Sequence, residues 1–357
     1  MITLPERIHN ILVIQTAFIG DAVLTLPMIQ VLHRHLPHTN IDVVVVPRAA
    51  ELFRNHPAIR EVIPYDKRSF KGIVGYFSLR NKLRSKNYGL AIVPHRSLRS
   101  AMLVKGARIP DRIGFDTSAS PSRFTDLVQY RQLIHESDRN LSLLKPLGIV
   151  HESKELPELY PSRDDTLTVE KVLRESGIRD DDKIVAIAPG TIWNTKRWLK
   201  ERFAALAKEV TTSGYRVVLV GGPDDALLCE EIAAEANNQR VFNAAGKLSL
   251  LQSAALIQRS RVLVSNDSAP MHMAVAMRTP VVAIFGATIP EFGFAPYGTN
   301  DIILETKGLP CRPCSIHGGN KCPIKTFDCM NNITVDDVFH TVQRLVNHRN
   351  ASEPSTR

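Results

Sequence analysis

The feature that most narrows what this chain can fold into is an alternation played twice. Short β-branched runs recur with helix-like stretches between them: Ile11 to Gln15, Ile41 to Val46, Glu61 to Ile63 and Leu90 to Val93 read as strands. Asp21 to His35, Ala49 to Asn55, Ile73 to Ser85 and a segment opening at Leu98 read as helices. Strand, helix, strand in regular succession is the βαβ unit, which builds parallel sheets. At Leu156-Pro157-Glu158-Leu159-Tyr160-Pro161-Ser162 the pattern breaks. A second series follows, with strands at Lys183 to Ala188, Arg216 to Val220, Val241 to Asn243, Val262 to Ser265 and Val281 to Phe285. Its helices are Lys200 to Thr212, Asp224 to Ala236, Leu250 to Arg259, Ala269 to Met277 and Val335 to His348. A chain of 357 residues exceeds what one core supports. The expected fold is α/β, with two Rossmann-like, doubly wound parallel-sheet domains at 1–162 and 163–348 and a polar tail at 349–357. Such lobes are expected to face a cleft at the carboxyl ends of their strands.

Composition excludes several classes. A hydrophobic share of 44% with 23% charged residues fits a globular protein and not a disordered one. No run approaches the roughly 18 apolar residues of a membrane span. Met1-Ile2-Thr3-Leu4-Pro5-Glu6-Arg7 has no basic and apolar leader pattern, so a cytoplasmic location is expected. A formal charge of +9 points to anionic partners. Arg96, Arg99, Lys105, Arg108 and Arg112 cluster beside His95, either as a solvated helix face or as an anion site. No aromatic residue is interleaved with them, which disfavours nucleic acid.

Candidate chemistry sits at strand ends. After the first strand come Gly20 and Asp21, where a carboxylate is expected to face the crevice as a base or, alternatively, to cap the helix. After the first strand of the second half come Pro189-Gly190-Thr191 and then Lys196, a compact cation suited to phosphate, or else a surface loop packed by Trp193 and Trp198. Gly221-Gly222 ends the next strand, followed by Asp224 and Asp225, which can accept from ribose hydroxyls. No GxGxxG fingerprint is present. Ser265-Asn266-Asp267-Ser268-Ala269-Pro270-Met271-His272 runs from a strand into a helix start, whose N–H groups and dipole suit a diphosphate. Ser268 is equally a helix cap and His272 equally a core histidine. Four of the five cysteines, Cys311, Cys314, Cys322 and Cys329, lie in one loop at 308–330, where a C-x2-C half-knuckle leaves free thiols and structural zinc both open.

Taken in order, Gly20-Asp21-Ala22-Val23-Leu24-Thr25-Leu26-Pro27, Pro189-Gly190-Thr191 with Lys196-Arg197-Trp198, Gly221-Gly222, Asn266-Asp267-Ser268 with His272, Phe285-Gly286-Ala287-Thr288 and the cysteine loop resemble glycosyltransferase family 9, the lipopolysaccharide heptosyltransferases, and most closely the branch that adds the second heptose. The resemblance spans roughly residues 8 to 345. It implies two lobes of the GT-B type, an acceptor-binding first domain and a donor-binding second one. It implies an ADP-heptose donor, no cofactor and no metal at the site, and as acceptor a phosphorylated lipid A-linked core met at the cytoplasmic face of the inner membrane. Asp21 matches the family's general base and Lys196 its donor-phosphate lysine. Asp267, Ser268, Ala269 and His272 match the loop that grips diphosphate and sugar. Gly190, Thr191, Gly222 and Leu248 match positions near phosphates and adenine, while Gly20, Arg96 and Arg99 match the acceptor side. Ala269 stands where the family often has glycine, which narrows backbone approach to phosphate.

The reaction so implied is inverting, since one base and no nucleophile pair is found. Asp21 accepts the acceptor proton as the anomeric bond loosens, and Lys196 with the helix start stabilises the leaving ADP. A nicotinamide-dependent oxidoreductase of similar architecture and a non-catalytic polyanion binder are the alternatives.

Overall fold

The computed structural model describes residues 8–66 and 72–352. The leader reading of Met1 to Arg7 and residues 353–357 of the expected tail lie outside the described residues. The chain divides into two compact units, 1–160 and 161–357.

The first unit runs β1 (Asn10–Gln15), α1 (Ile19–His35), β2 (Asn40–Val45), β3 (Glu61–Pro64), α2 (Gly72–Ser85), β4 (Leu90–Val93), α3 (Leu98–Gly106), β5 (Asp111–Phe115), β6 (Asp126–Val128) and α4 (Glu136–Leu141). Its sheet has the order β3-β2-β1-β4-β5-β6, every pairing parallel. Central strands of such a sheet are covered on both faces, so Ile11-Leu12-Val13-Ile14 and Leu90-Ala91-Ile92-Val93 are apolar without alternation and fully buried. The strand order reverses direction between β1 and β4, and ligands of doubly wound folds bind outside the carboxyl ends of that pair.

Several elements differ from the sequence reading, which lacks α4 of this unit and, in the second, a helix at Arg163–Glu175, a strand at Ile302–Glu305 and a short helix at Asp328–Asn331. The stretch expected as a helix over Ala49 to Asn55 is a 3-10 helix, Pro47–Phe53, opened by a proline. Strands β5 and β6 went unseen because Asp-Arg-Ile-Gly-Phe and Asp-Leu-Val are short and carry charges. Gly114 in β5 makes room for the Phe124 ring, whose atoms lie 2.6 to 2.8 Å from where a Cβ would stand. The unit closes when Glu155 meets α1: Arg34 pairs with it at 2.9 and 2.7 Å, and Gln30 donates to Glu155 and to the Leu156 carbonyl, both at 3.0 Å.

The second unit runs α5 (Arg163–Glu175), β7 (Ile184–Ala188), α6 (Lys200–Thr212), β8 (Arg216–Leu219), α7 (Ala226–Ala236), β9 (Val241–Asn243), α8 (Leu250–Arg259), β10 (Val262–Asn266), α9 (Ala269–Ala276), β11 (Val281–Phe285), β12 (Ile302–Glu305), α10 (Asp328–Asn331) and α11 (Val335–Ser352). Its parallel sheet is β12-β11-β10-β7-β8-β9. It repeats the topology of the first, with its switch point between β7 and β10. Helix α11 runs four residues past His348 into the expected tail. The core under this sheet centres on Trp198, fully buried, edge-on to Phe203 at 4.9 Å. Its indole N–H donates to the Ile333 carbonyl at 3.0 Å, so this tryptophan is neither a surface residue nor a ligand contact. Among the described residues no helix is long and apolar enough to cross a membrane.

Candidate active site

In the first unit Gly20, Asp21 and Arg96 follow β1 and β4 at the switch point; in the second, Gly190, Lys196 and Asp267 follow β7 and β10, while Gly222 follows β8 and Leu248 follows β9. In the first, β1 delivers the chain to α1 through a turn locked by side chains: Gln15 donates to the Thr25 hydroxyl at 3.0 Å and accepts the Ala17 N–H at 3.2 Å, while Thr25 donates to the Asp21 carbonyl at 2.8 Å. Helix α1 has already begun at Ile19, so Gly20 lies within its first turn and is not the point where the chain reverses. Asp21 is the third helical residue, and its Oδ2 accepts the Phe18 N–H at 3.2 Å. Capping and catalysis therefore do not exclude each other. One oxygen ties the helix start, and the half-buried carboxylate remains at the end of β1.

Beside it, at the end of β4, His95 Nδ1 meets the Thr16 hydroxyl at 2.8 Å. Arg96 is exposed, its guanidinium 3.9 Å from the Tyr130 ring centre and one nitrogen 3.3 Å from the Thr117 hydroxyl. Arg99 is exposed in the first turn of α3. The basic cluster divides. Arg96 and Arg99 are at the strand-end face, but Arg112 is structural, donating to the carbonyls of Arg123, Ile109 and Pro110 at 2.7, 2.5 and 2.7 Å.

A second carboxylate was missed. Glu136 opens α4, is buried, and is paired with Arg139. Arg139 is itself 1% exposed, donates to the carbonyls of Arg131, Gln132 and Ile134 at 2.7, 2.7 and 2.9 Å, and lies 4.6 Å from the same Tyr130 ring. Burial pushes the Glu136 carboxyl up to about 7 against the pull of Arg139, and the charge of Asp21 pushes the same way. A six-residue helix holding three charges carries no apolar period, so nothing in the sequence marked this cluster.

In the second unit, Asn266 at the end of β10 is fully buried and bridges the switch point, donating to the Pro189 carbonyl at 2.8 Å and accepting the Trp198 N–H at 3.0 Å. That bridge fixes the loop carrying Lys196. The Lys196 ammonium pairs with Asp267 Oδ2 at 2.6 Å, and the Thr288 hydroxyl donates to the same oxygen at 2.7 Å. Arg312, nearly buried, in turn donates to the carbonyls of Thr288 at 2.7 Å, Gly286 at 2.5 Å and Thr306 at 3.0 Å, and pairs with Glu305 at 2.7 Å. The cysteine loop docks on the same place: Thr195 and Gly319 exchange bonds at 2.9 and 2.8 Å. Its four thiols are free, and among the described residues no group of three or more His, Cys, Asp or Glu is placed to hold a metal ion. Thr288 and Arg312 are further residues that no local motif announced.

Ser268 caps α9 by position, with Ser265 Oγ 3.3 Å from its own hydroxyl, and Ala269 opens the helix. His272 is 4% exposed, inside the fold. Thr191 is half-buried and its carbonyl accepts from Arg197 at 2.9 Å. Leu248 is half-buried just before the cap of α8. The open side of Gly190 is filled by the Asp225 carboxyl, whose Oδ2 lies 2.6 Å from where a Cβ would stand. Asp225 also accepts the Gly222 N–H at 3.0 Å, and burial raises its carboxyl above the usual range.

The model of glycosyltransferase family 9 (heptosyltransferase) matches residues 76–321. Lipopolysaccharide heptosyltransferase 2 of Salmonella typhimurium is 29% identical over 296 residues, covering 79% of this chain and 84% of that protein. Lipopolysaccharide heptosyltransferase 3 of Escherichia coli is 30% identical over 295 residues, covering 80% and 85%. The solved structure of E. coli ADP-heptose lps heptosyltransferase II superimposes with a TM-score of 0.81 at 25% identity, covering 96% of this chain and 99% of that one. Matched by the family model over well more than half its length, the chain belongs to glycosyltransferase family 9 and is a glycosyltransferase, not the oxidoreductase or polyanion binder that its architecture and charge also admit.

Proposed function

We propose that this glycosyltransferase moves a heptose from ADP-heptose to the inner core of lipopolysaccharide with inversion, Asp21 acting as general base. The observation that carries the reading is the position of Asp21 at the β1 switch point, tied by one oxygen to the Phe18 amide. A carboxylate is a weak base toward an alcohol. It therefore acts late, taking the proton as the anomeric bond loosens and the hydroxyl becomes acidic. The second unit binds the donor. Lys196, Thr191 and the start of α9 at Ser268 and Ala269 meet the diphosphate, whose charge grows as it leaves. Gly190, Gly222, Leu248, Asp267 and His272 shape that region, His272 from inside the fold. Arg96 and Arg99, with Gly20 beside the base, receive the anionic acceptor, since guanidinium groups pair well with phosphate. The E. coli structure of 0.81 TM-score, which carries ADP-heptose in its name, supports the donor.

The acceptor class implies work at a membrane surface. Helices α2 and α3 leave Val74, Phe77, Leu98 and Met102 exposed at 69%, 46%, 48% and 37%. Arg80, Lys82 and Arg84 lie on the same α2, and Arg99 and Lys105 on the same α3. Apolar side chains beside cations suit an anionic bilayer face, and this is the peripheral contact proposed here.

The test is Asp21→Asn with ADP-heptose and a lipid A-linked core acceptor. Transfer is expected to fall by about a thousandfold, within the range of general-base contributions, while ADP binding stays unchanged. Near-normal transfer by Asp21→Asn refutes the base.

A further inference from the structure

We infer that Arg312, on the cysteine loop, is a positioning residue for the transfer, holding the Lys196 ammonium in place through Thr288 and Asp267. The inference rests on the reading of Lys196 as the cation that meets the donor diphosphate, and deepens it by naming what seats that cation. A lysine at the end of a three-residue 3-10 turn has a flexible four-carbon stem and no seat of its own. This one is gripped at both ends. At the head, the ammonium pairs with Asp267 Oδ2 at 2.6 Å, and the Thr288 hydroxyl donates to that same oxygen at 2.7 Å. At the stem, a Cβ on Gly318 would stand 2.9 Å from Lys196 Cγ and 3.1 Å from Cδ, so the bare backbone of the cysteine loop lies against the methylenes.

Arg312 fixes the segment that delivers the Thr288 hydroxyl. Its nearly buried guanidinium donates to the carbonyls of Gly286 at 2.5 Å, Thr288 at 2.7 Å and Thr306 at 3.0 Å, and pairs with Glu305 at 2.7 Å. Between them, Ala287 accepts the Cys314 N–H at 2.9 Å and donates to the Thr195 carbonyl at 3.4 Å, next to Lys196. The planar fork of an arginine serves several acceptors at fixed angles, which an ammonium cannot do. With Thr288 in place, the charge of Asp267 is shared between a hydroxyl and the lysine. Without that hydroxyl the carboxylate draws the ammonium harder and leaves less of its pull for a phosphate. Loosening Arg312 lets the hydroxyl drift and has the same consequence. The loss falls mainly on the step in which ADP leaves and its charge grows, and so on kcat more than on KM.

Two measurements test this. The first is steady-state transfer from ADP-heptose by Thr288→Val, Thr288→Ser, Arg312→Lys and the double variant of Thr288→Val with Arg312→Lys. Valine keeps the shape of threonine without its hydroxyl, and lysine keeps a cation opposite Glu305. Thr288→Val and Arg312→Lys are each expected to lower kcat about tenfold, the weight of one hydrogen bond to a charged group, while the KM for ADP-heptose stays within about twofold. Thr288→Ser should restore kcat. Because both changes act on one carboxylate oxygen, the double variant should also lose about tenfold and not about a hundredfold. Normal kcat in Thr288→Val, no rescue by serine, or a double variant with multiplied losses overturns the inference. The second measurement needs no donor: nitrogen NMR of lysine-labelled protein, with the Lys196 ammonium assigned by its loss in Lys196→Ala. The wild-type ammonium is expected to be seen through slow exchange of its protons, and to vanish in Arg312→Lys. A signal that survives Arg312→Lys unchanged overturns the positioning, whereas a wild type that transfers nothing from ADP-heptose refutes the proposed reaction and leaves the NMR result to judge the positioning alone.

Discussion

Gly190→Ala separates two reasons for a glycine at the end of β7. One reason is ligand approach, the reading drawn from the sequence; the other is the protein's own Asp225, which occupies that side. A methyl carbon at residue 190 would lie 2.6 Å from Asp225 Oδ2 and closer still to the rest of the carboxyl, where ordinary contact begins at 3.4 Å. Asp225 has little freedom to yield. Its Oδ2 holds the Gly222 N–H at 3.0 Å, and its Cβ lies 2.7 Å from where a Gly221 side chain would begin. Relief requires the carboxylate to shift and give up that bond. Overpacking costs about 1–3 kcal/mol, and a hydrogen bond to a charged group is worth about 1.5–3 kcal/mol, so Gly190→Ala should destabilise by about 3 kcal/mol. In an Asp225→Ala background the carboxyl that clashes is gone and the same change should cost about 0.5 kcal/mol or less. Both tryptophans, Trp193 and Trp198, belong to the second unit, so their fluorescence during urea unfolding reports on the unit that carries the clash. Equal costs in the two backgrounds refute the clash. So does a Gly190→Ala protein of wild-type stability whose ADP affinity alone has dropped.

Two further outcomes follow from the first unit. Burial lifts the Glu136 carboxyl from 4.5 to about 7, so between those values the folded protein holds a proton that the unfolded chain has released. The resulting stabilisation is complete below pH 4.5 and lost as pH rises through 7, by about 3 kcal/mol for 2.5 units. The stability of the wild type relative to Glu136→Gln, followed by circular dichroism in urea, should fall by that amount from pH 4.5 to 8; a pH-independent difference contradicts the burial argument. For the membrane contact, the protein should sediment with vesicles rich in anionic lipid and not with zwitterionic ones, and Phe77→Ser with Met102→Ser should weaken sedimentation about tenfold or more. Equal sedimentation with both vesicle types would leave the α2–α3 face without that role.

How much of this was legible in the sequence depends on the length over which each residue's signal extends. Strands β1, β4, β7, β10 and β11 are buried on both faces, so Ile11-Leu12-Val13-Ile14 and Val281-Val282-Ala283-Ile284-Phe285 announce themselves as unbroken apolar runs. Alternation then gives the parallel sheets, while the strand orders that set the switch points are facts of the fold. At sheet edges the signal fades: β5 and β6 are short, and β5 is held through Arg112 and through a glycine whose purpose is to admit Phe124. The same divide runs through the candidate site. Asp21, Lys196 and Asp267 sit just after strands and are found by position. Thr288 meets Asp267, and Arg312 meets Thr288, across more than twenty positions, while Glu136 pairs with Arg139 inside a short helix of no apolar period; neither spacing nor composition records such contacts. Asn266 was visible as part of a motif, but its inward amide is a fact of the fold. The cysteine loop drew attention for its sulfur, whereas its hydrogen bonds to the lysine loop come from Gly319 meeting Thr195 and the Asn320 carbonyl meeting Asn194, and Arg312 serves Thr288.

These contacts bear on how a donor would be held and released. In the reaction proposed above, Lys196 would meet the diphosphate already paired with Asp267, at 2.6 Å, inside a chain of bonds that ends on Arg312 and Glu305. A half-buried cation so paired neither wanders nor needs reorganisation when charge develops nearby, which is the condition for electrostatic stabilisation to act without delay. The pairing also divides its effect between ground and transition states. Toward an intact nucleotide sugar, the Lys196–Asp267 pair presents little net charge, so binding gains modestly. Toward a leaving ADP, which carries one charge more, the ammonium gains further attraction at short range while Asp267 remains occupied by the Thr288 hydroxyl. An interaction that grows along the reaction coordinate raises turnover more than affinity, and the Arg312–Thr288–Asp267 chain is what holds the ammonium where that growth can occur.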